Sequence, residues 1–375
     1  MKRFLAGVLC ILLLAACLPG CGQENQEGLG NGWEPVDSMK LLYAQGFSVD
    51  YYQEGYKLIS IQNGDRFLVV PEGKEVPKGI ARDIVPLYQP LDRIYLAATS
   101  AMCLFDALDR LDAIRLSGTR QEGWYVENAA QAMAQGDILY AGKYSEPDYE
   151  MILDNHCDLA VESTMIGHAS EVKQKLESLR IPVLVDHSSM EPHPLGRSEW
   201  LRLYAALLNE EEKAERVFGE QVKHLTDLEG AEPTGKTVAF FHISSSGFVV
   251  ARRTGDYVSK MIELAGGKYA FDDLGDPDKI GSTVTVEMET FYNTAKEADY
   301  VIYNSTIGGE IRSLEEFLGL SEVLKNFKAV KNGNVWCTSQ NMFQESMKLG
   351  QMIGDFHEML TDPDCTQLTY LYKLQ

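Results

Sequence analysis

The chain has 375 residues, and its 55 acidic residues outnumber its 34 lysines and arginines, which gives a formal net charge of −21 at pH 7. This charge argues against a nucleic-acid partner, because binding to phosphates needs clustered Lys and Arg. The length suggests two domains. Four of the seven cysteines lie beyond residue 21, too widely separated to predict a zinc site or a disulfide framework. They are Cys103, Cys157, Cys337 and Cys365.

The first residues have the pattern of a secretion signal. Lys2 and Arg3 precede an apolar run from residue 4 to residue 16. Such a run is too short to span a membrane as a mature helix. We therefore expect the protein to be exported.

Two short motifs at the end of this run predict a lipid anchor. The sequences LAAC and LPGC both resemble the lipobox of bacterial lipoproteins, in which the cysteine carries the lipid. We favour Cys21 as the lipidated residue, with Cys17 as the alternative. Residues 1–20 would then be a signal peptide, and the polar, Gly-rich residues 21–36 a flexible tether. The predicted location is the extracytoplasmic face of the cell membrane.

The next region, residues 37–192, is predicted to form an N-terminal α/β lobe. The segment YKLISIQNGDRFLVV has alternating apolar runs around Asn63-Gly64, which is a strong hairpin signal. From Arg93 onward, the strand-like segments RIYLAA, GDILYAG, CDLAVEST and IPVLVDH alternate with the helix-like segments SAMCLFDALDRL and HASEVKQKLESLR. This alternation predicts a parallel sheet.

Residues 193–232 are predicted to form a connecting helix. From Arg197 to Leu228 there is no proline, and apolar residues recur at helical spacing. The pattern fits one kinked helix, or two helices in series with Asn209 capping the second. Arg197, which follows two prolines, could reach the cleft or belong to a structural network, and we favour the structural role.

Residues 233–375 resume the strand–helix alternation and are predicted to form a C-terminal lobe. The strand-like segments are KTVAFFHI, ADYVIYNST and GNVWCTS, and the helix-like segments are GDYVSKMIELAGG and MKLGQMIGDFHEMLT. The predicted fold class is therefore α/β, with two lobes that each contain a mainly parallel sheet and are joined by a long α-helix.

The two lobes share an internal repeat. CDLAVESTMIG and ADYVIYNSTIGG both contain an Asp, a short apolar strand and a small-residue loop, and the Asp158–Gly167 spacing equals that of Asp299–Gly308. Glu150 precedes the first aspartate by eight residues, and Glu289 precedes the second by ten. Because ligands of open parallel sheets bind beyond the carboxyl ends of strands, two such lobes facing each other would form a cleft.

Several segments resemble the helical-backbone class of ABC-transporter substrate-binding proteins, the family for ferric siderophores, haem and cobalamin. They are PLDRIYLAATSAMCLFDALDRLDAI, EPDYEMILDNHCDLAV, LRIPVLV and FKAVKNGNVWC. The resemblance covers roughly residues 93–361 and implies a class III periplasmic binding protein fold. It further implies a monomer that binds a small molecule, without catalysis and without a cofactor.

The resemblance also implies roles for three residues. Glu150 and Glu289 would lie on the rims of the two lobes, where glutamates of this family pair with arginines of the membrane permease. Tyr144 lies where the family often has an aromatic residue in the cleft, which can stack on a flat or chelated ligand. The alternative for each glutamate is a first-turn residue favoured by the helix dipole.

Further candidate ligand contacts come from the expected strand ends. Arg252 and Arg253 are adjacent in FVVARRTGDY and would suit an anionic ligand, because Arg binds carboxylates through two parallel hydrogen bonds. Thr99 and Ser100 follow the strand RIYLAA, although Ser100 could simply cap the next helix.

Two loop aromatics, Trp124 in GWYV and Phe343 in SQNMFQ, complete the predicted ligand contacts. Neither is tied to a motif, so their assignment rests on their place in loops after expected strands.

The sequence thus predicts the solute-binding component of an ABC importer, with an iron complex as ligand and a permease with its ATPase as partners. A ferric siderophore is the preferred ligand. The alternatives are haem or cobalamin in the same role, bare Zn or Mn capture, and a surface sensor that reuses the fold. GAEPTGKT matches a phosphate-binding loop, but its helix–loop–strand order is wrong for that site. Neither Gly-x-Ser-x-Gly nor His-Glu-x-x-His is present, so no enzyme is predicted.

Overall fold

The computed structural model describes residues 29–30, 32–226, 232–274 and 282–375. The predicted signal peptide, both candidate lipidation sites, Cys17 and Cys21, and the first part of the predicted tether lie outside the described residues. Within the described ranges, no helix is long and apolar enough to cross a membrane. The four described cysteines are free thiols.

The chain first forms a five-stranded sheet in the order β1-β2-β3-β4-β5, in which β4 and β5 are parallel and the other neighbours antiparallel. We call it the N-terminal sheet. The predicted hairpin is confirmed, and Gly64 in its turn has a φ of +97°, a conformation that favours glycine. The strands are β1 Asp37–Ser38, β2 Phe47–Tyr51, β3 Lys57–Ile61, β4 Arg66–Val70 and β5 Ile84–Tyr88.

The N-terminal lobe is built on a second five-stranded sheet, with the order β12-β11-β6-β7-β8 and parallel pairing throughout. The range 37–192 therefore divides between two sheets. The strands are β6 Ile94–Leu96, β7 Ile114–Ser117, β8 Leu139–Tyr140, the hairpin β9 Gly142–Lys143 with β10 Glu146–Pro147, β11 Leu159–Ser163 and β12 Val183–Asp186. The helices are α1 Met102–Ala107, α2 Glu127–Gln135, α3 Tyr149–Asp154 and α4 Ser170–Ser178.

The connection between the lobes is a series of three helices rather than one long helix. They are α5 Pro194–Glu199, α6 Leu201–Leu208 and α7 Glu211–Thr226. Asn209 has a left-handed conformation, with a φ of 60°, and ends α6 instead of capping α7. A left-handed residue commonly ends a helix because it turns the chain away from the helix axis.

The C-terminal lobe contains a seven-stranded mixed sheet. Its centre, β15, β13, β17 and β18, is parallel, and β14, β16 and β19 are antiparallel additions. The strands are β13 Thr237–Ile243, β14 Val249–Arg252, β15 Lys268–Tyr269, β16 Thr283–Val286, β17 Tyr300–Tyr303, β18 Val335–Thr338 and β19 Leu371–Lys373. The helices are α8 Tyr257–Leu264, α9 Met288–Ala295, α10 Ser305–Gly308, α11 Leu314–Gly319, α12 Lys328–Lys331 and α13 Leu349–Thr361.

Two buried carboxylates join the N-terminal sheet to the connecting helices. Glu199 accepts hydrogen bonds from the backbone N–H groups of residues 42, 43 and 44, at 2.7–3.1 Å. Glu191 accepts from the N–H groups of residues 45 and 46 and from Nε1 of Trp200. Consecutive N–H groups of one segment thus point at two buried charges, which fixes the sheet against α5 and α6.

The repeated aspartates have the same structural task in both lobes. Oδ2 of Asp158 accepts the N–H of Arg93 at 3.1 Å, and Oδ2 of Asp299 accepts the N–H of Thr237 at 2.8 Å. Each carboxylate therefore ties the start of its lobe's first strand to the start of a later, neighbouring strand. The different Glu–Asp spacings have a simple cause, because α3 has six residues and α9 has eight.

Candidate functional site

The loops after the parallel strands of the two lobes meet each other. Gln344, in the loop after β18, accepts the backbone N–H of Tyr125 at 2.8 Å and donates to the carbonyl oxygen of Gly123 at 2.7 Å. Gly123 and Tyr125 lie in the loop after β7. The carboxyl ends of both sheets therefore face a common interlobe cleft, where ligands of such sheets bind.

Five large apolar side chains are exposed in the segments that directly follow parallel strands. Each exposes between 41% and 59% of its surface. Tyr125, Met165 and Met190 belong to the N-terminal lobe, and Phe248 and Ile307 belong to the C-terminal lobe. The carboxyl ends of parallel strands are where small molecules bind to such sheets, so these exposed apolar groups are candidate ligand contacts. None of the five was predicted, although four of them follow small polar residues at the end of a predicted strand; Tyr125 follows β7, a strand that was not predicted.

The polar groups of these loops are mainly hydroxyls and amides. Ser305 donates to the carbonyl of residue 338, and Thr306 to that of residue 339. Nε2 of Gln340 donates to the carbonyl of Ser305, while the hydroxyls of Thr164 and Ser189 lie 3.5 Å apart. Hydroxyl and amide groups of this kind can form hydrogen bonds with the oxygen atoms of an organic ligand.

The predicted contacts of the N-terminal lobe have different environments. Thr99 is exposed and Ser100 is half-buried after β6. Tyr144 is half-buried at the turn of the β9–β10 hairpin and packs against the core of the lobe. Trp124 differs from the expectation, because it is buried and its Nε1 donates to Oγ of Ser117 at 3.3 Å. The neighbouring Tyr125 is exposed in its place.

The predicted contacts of the C-terminal lobe include one close pair. Cζ of Arg252 lies 4.9 Å from the ring centre of Phe343, and Nη1 of Arg252 is 3.6 Å from Oδ2 of Asp256. Arg253 is half-buried, and its Nε donates to the carbonyl of Thr283 at 3.1 Å. The structure thus brings Arg252 and Phe343 together, whereas Arg253 lies against β16.

Glu150 and Glu289 occupy equivalent places in the two lobes. Each is exposed, and each is the second residue of the helix before a parallel strand, α3 or α9. Neither side chain makes a hydrogen bond or an ion pair within the described residues. Both carboxylates are therefore available to an external partner.

A buried glutamate, Glu162 on β11, has no hydrogen-bond partner among the residues that the structure describes. Both of its carboxylate oxygens are inaccessible to solvent and lack a hydrogen bond. Burial in this apolar environment raises the pKa of Glu162 from 4.5 to about 8. Glu162 was not predicted as a buried acid, because an acidic residue inside an apolar run can equally lie at the exposed end of a strand.

A cavity of about 680 Å³ lies at the lobe interface, between α1, the start of α2, α7 and the loop after β18, and Tyr125 and Gln340 also line it. Its wall contains four carboxylates and one lysine, namely Asp106, Glu127, Glu220, Glu345 and Lys348. Glu345 accepts a hydrogen bond from the hydroxyl of Tyr370 and Asp106 accepts one from Asn128, whereas Glu127 and Glu220 are exposed. No group of three or more His, Cys, Asp and Glu within the described ranges is arranged to hold a metal ion.

Comparison with known proteins agrees with this architecture. The family described as periplasmic binding protein matches residues 106–341. The chain belongs to this family. It has the class III fold, and the family consists of binding proteins rather than enzymes.

Individual relatives show the same similarity over longer ranges. An uncharacterized lipoprotein of Methanocaldococcus jannaschii is 26% identical over 96% of this chain and 93% of its own length. A periplasmic haem-binding protein from Pseudomonas aeruginosa aligns with a TM-score of 0.58 at 13% identity, covering 76% of this chain and 98% of its own. An ABC-type Fe3+-hydroxamate transport protein from Saccharomonospora viridis aligns with a TM-score of 0.56 at 19% identity, covering 72% and 94%.

Proposed function

We propose that the protein is the extracytoplasmic solute-binding component of an ABC importer. It captures an iron complex, with a ferric siderophore preferred, in the interlobe cleft and delivers it to the permease. The observation that carries this proposal is the contact between strand-end loops of the two lobes at Gln344, together with five apolar side chains exposed in segments that follow parallel strands.

The character of the cleft favours a chelated metal over a bare ion. A bare Zn or Mn ion needs several converging His or carboxylate ligands, and the described residues offer no such group. An organic chelate instead presents apolar and oxygen-rich surfaces, which match the exposed side chains. The names of structural neighbours, which mention haem, Fe3+-hydroxamate and vitamin B12, also support a chelated metal as the ligand.

Delivery would depend on the two rim glutamates. Glu150 and Glu289 lie on different lobes. A permease that pairs with both glutamates at once would therefore bind only when the two lobes have the correct relative orientation. A lipid on Cys21 would keep the protein at the membrane, and the relatives named lipoproteins support such an anchor. Haem or cobalamin remains the alternative ligand, and sensing by a surface lipoprotein the alternative role.

A titration followed by tryptophan fluorescence tests the ligand class. The purified protein would be titrated with a ferric trihydroxamate, a ferric catecholate, haem, cobalamin and Zn²⁺. We expect saturable binding of one iron chelate, weakened by Tyr125→Ala and by Tyr144→Ala. Tyr88→Ala is the matched control, because Tyr88 is an exposed tyrosine of the N-terminal sheet. Tight Zn²⁺ binding without a response to any chelate would refute the proposal.

A further inference from the structure

The cavity of about 680 Å³ at the lobe interface has walls from three parts of the molecule. Glu127 begins α2 in the N-terminal lobe, Glu220 lies on α7 of the connection, and Glu345 lies in the loop after β18 of the C-terminal lobe. Small-molecule sites have volumes of about 300–1,000 Å³. A molecule of this size bound here would contact both lobes and the connecting helices at once.

The wall of this cavity has an excess of negative charge. Four carboxylates and one lysine line it, and no arginine or histidine of the described residues does. Glu127, Glu220 and Lys348 are exposed, and their side chains form no ion pair and no hydrogen bond within the described ranges. A concave surface with charges of one sign attracts the opposite charge. The cavity therefore favours a cationic group.

The amide side chains of the wall also offer acceptors rather than donors. The NH₂ groups of Asn128, Gln340 and Asn341 donate to Oδ1 of Asp106, to the carbonyl of Ser305 and to Oε1 of Glu345, at 2.8, 3.2 and 3.3 Å. Their amide oxygens accept no hydrogen bond from any described residue. Because the donors are already used inside the protein, the groups left for a ligand are oxygen atoms.

A fourth amide, Gln221 of α7, is buried in the wall without a partner. It is 6% exposed, its Oε1 has no hydrogen-bond donor, and its NH₂ group forms no hydrogen bond within the described part of the chain. Buried side-chain polar groups normally have partners. A donor bound in the cavity could supply one after a rotation of the amide group. This observation is independent of the acidic residues, and it also indicates a hydrogen-bond donor as ligand.

A protonated amine fits this wall better than a metal ion does. A metal ion needs several ligands at fixed distances and angles, and no described group of His, Cys, Asp and Glu has that arrangement. An ammonium group has three N–H donors and imposes no such geometry. Tyr125, which is 45% exposed, adds an aromatic ring that can attract a cation.

We propose that this cavity binds a protonated amino group of the captured ligand. Glu127 and Glu220 supply the negative charge, and the amide oxygens accept the N–H groups. This inference rests on the proposed function and narrows its ligand to an iron chelate with a pendant ammonium group, in preference to anionic chelates. Because the wall belongs to both lobes, the bound ammonium group would also link them.

Two ferric trihydroxamates that differ at one group test the proposal. Both are linear, and the terminal amine is free in one and acetylated in the other. The purified full-length protein should bind the free amine about 3- to 10-fold more tightly. The double substitution Glu127→Gln with Glu220→Gln should remove this preference without weakening the acetylated chelate. Equal affinity of the wild type for the two chelates would refute the site.

The matched control for the double variant is Glu212→Gln. Glu212 is an exposed glutamate of the same helix, α7, and does not line the cavity. This variant should keep the full preference for the free amine. Loss of the preference in Glu212→Gln as well would mean that the overall charge of the protein, and not the cavity, selects the cation.

The substitution Gln221→Met tests the buried acceptor. It should reduce the preference for the free amine, while the unfolding temperature without ligand should equal or exceed that of the wild type, because an unpaired polar group is removed. A large loss of stability with an unchanged preference would assign Gln221 a structural role and refute its part in the site.

Thermal unfolding with the diamine cadaverine separates this inference from the proposed function. Millimolar cadaverine should raise the unfolding temperature of the wild type but not of the Glu127→Gln, Glu220→Gln variant, and the neutral pentanediol should have no effect. If cadaverine acts in this way but no iron chelate binds, the cation site stands and the proposed ligand class fails. If both chelates bind the wild type and the double variant equally and cadaverine has no effect, iron-chelate capture stands and the cation site is refuted.

Discussion

At the residue scale, the glycines that end the two copies of the repeat have unequal surroundings. A Cβ atom added to Gly308 would lie 2.3 Å from Oη of Tyr303 and 2.8 Å from Cβ of His242. A Cβ added to Gly167 would meet nothing within 4 Å. Steric crowding therefore requires glycine at position 308 of the second copy, after β17, but not at position 167 of the first copy.

The substitution Gly308→Ala should destabilise the protein by about 1–3 kcal/mol, because the added methyl forces Tyr303 or the backbone to move. Chemical denaturation would measure the change. Gly167→Ala is the matched control at the equivalent place, and its effect should stay within about 0.5 kcal/mol. Equal effects of the two substitutions would contradict the steric explanation.

Glu162 makes stability depend on pH. Its folded-state pKa is raised from 4.5 to about 8 by burial, so folding retains a proton that the unfolded chain releases above pH 4.5. The free energy of unfolding should therefore fall as the pH rises through this window and level off above about 8, a loss of roughly 5 kcal/mol at most. Acidic conditions favour the folded state as far as this residue is concerned.

The variant Glu162→Gln has no proton to release at this site. Its unfolding temperature should exceed that of the wild type by more at about pH 8.5 than at about pH 5. Glu171→Gln, an exposed glutamate of α4, should leave the pH profile unchanged. Parallel profiles for the wild type and Glu162→Gln would show that Glu162 is not the source.

At the element scale, the N-terminal sheet depends on Glu191 and Glu199. Each carboxylate accepts several backbone N–H groups of residues 42–46, and hydrogen bonds to a charged acceptor are stronger than neutral ones. Glu199 is completely buried, so its removal leaves three donors without an acceptor.

Glu199→Ala should lower the free energy of unfolding by about 2–5 kcal/mol, because three backbone donors, of which that of Ala44 is buried, lose a charged acceptor. Urea denaturation would give the size of the effect, and limited proteolysis should reveal new cleavage near residues 42–46. Glu212→Ala, at an exposed position of α7, serves as the control. Wild-type stability of Glu199→Ala would mean that Glu191 and the apolar contacts hold the sheet without Glu199.

Local sequence patterns predicted many of these helices and strands. Helix boundaries and the burial of individual side chains depend on tertiary contacts and were not predictable in the same way. The hairpin around Asn63-Gly64 and the alternating strands were predictable, because turn residues and apolar runs act locally. The helix break at Asn209 was predicted at the right residue, but its role was wrong: Asn209 ends α6 instead of capping α7. The sequence alone does not show to which of the two helices this residue belongs. Trp124 and Tyr125 are adjacent aromatics, and only the packed lobe decides which one is buried. Arg197 likewise packs on the ring of Tyr257, which is far away in the chain.

At the scale of the whole molecule, the two rim glutamates should separate binding from transport. The double substitution Glu150→Ala with Glu289→Ala should leave ligand affinity unchanged, because both side chains lie outside the cleft loops. Uptake through the cognate permease should fall by about tenfold or more, since interfacial charge pairs orient the docked complex. Glu171→Ala is the control, and normal uptake by the double variant would exclude these residues from docking.

Closure on ligand binding should be small. The lobes are already joined by Gln344 and by the hydrogen bond of 2.6 Å from Ser198 on α5 to the carbonyl of Ser346. We expect the radius of gyration from small-angle scattering to change by less than about 1 Å when a saturating ligand is added. A decrease of more than about 2 Å would instead indicate a hinge that opens widely.

The N-terminal sheet also limits how this protein can be shortened. The family match begins at residue 106, so a version trimmed to the two lobes would be an obvious choice for expression. Such a chain would lack residues 42–46, and Glu191 and Glu199 would lose most of the donors that now compensate their charge. The sheet and these two glutamates therefore depend on each other. We expect a related protein without the sheet to have other residues in place of both glutamates.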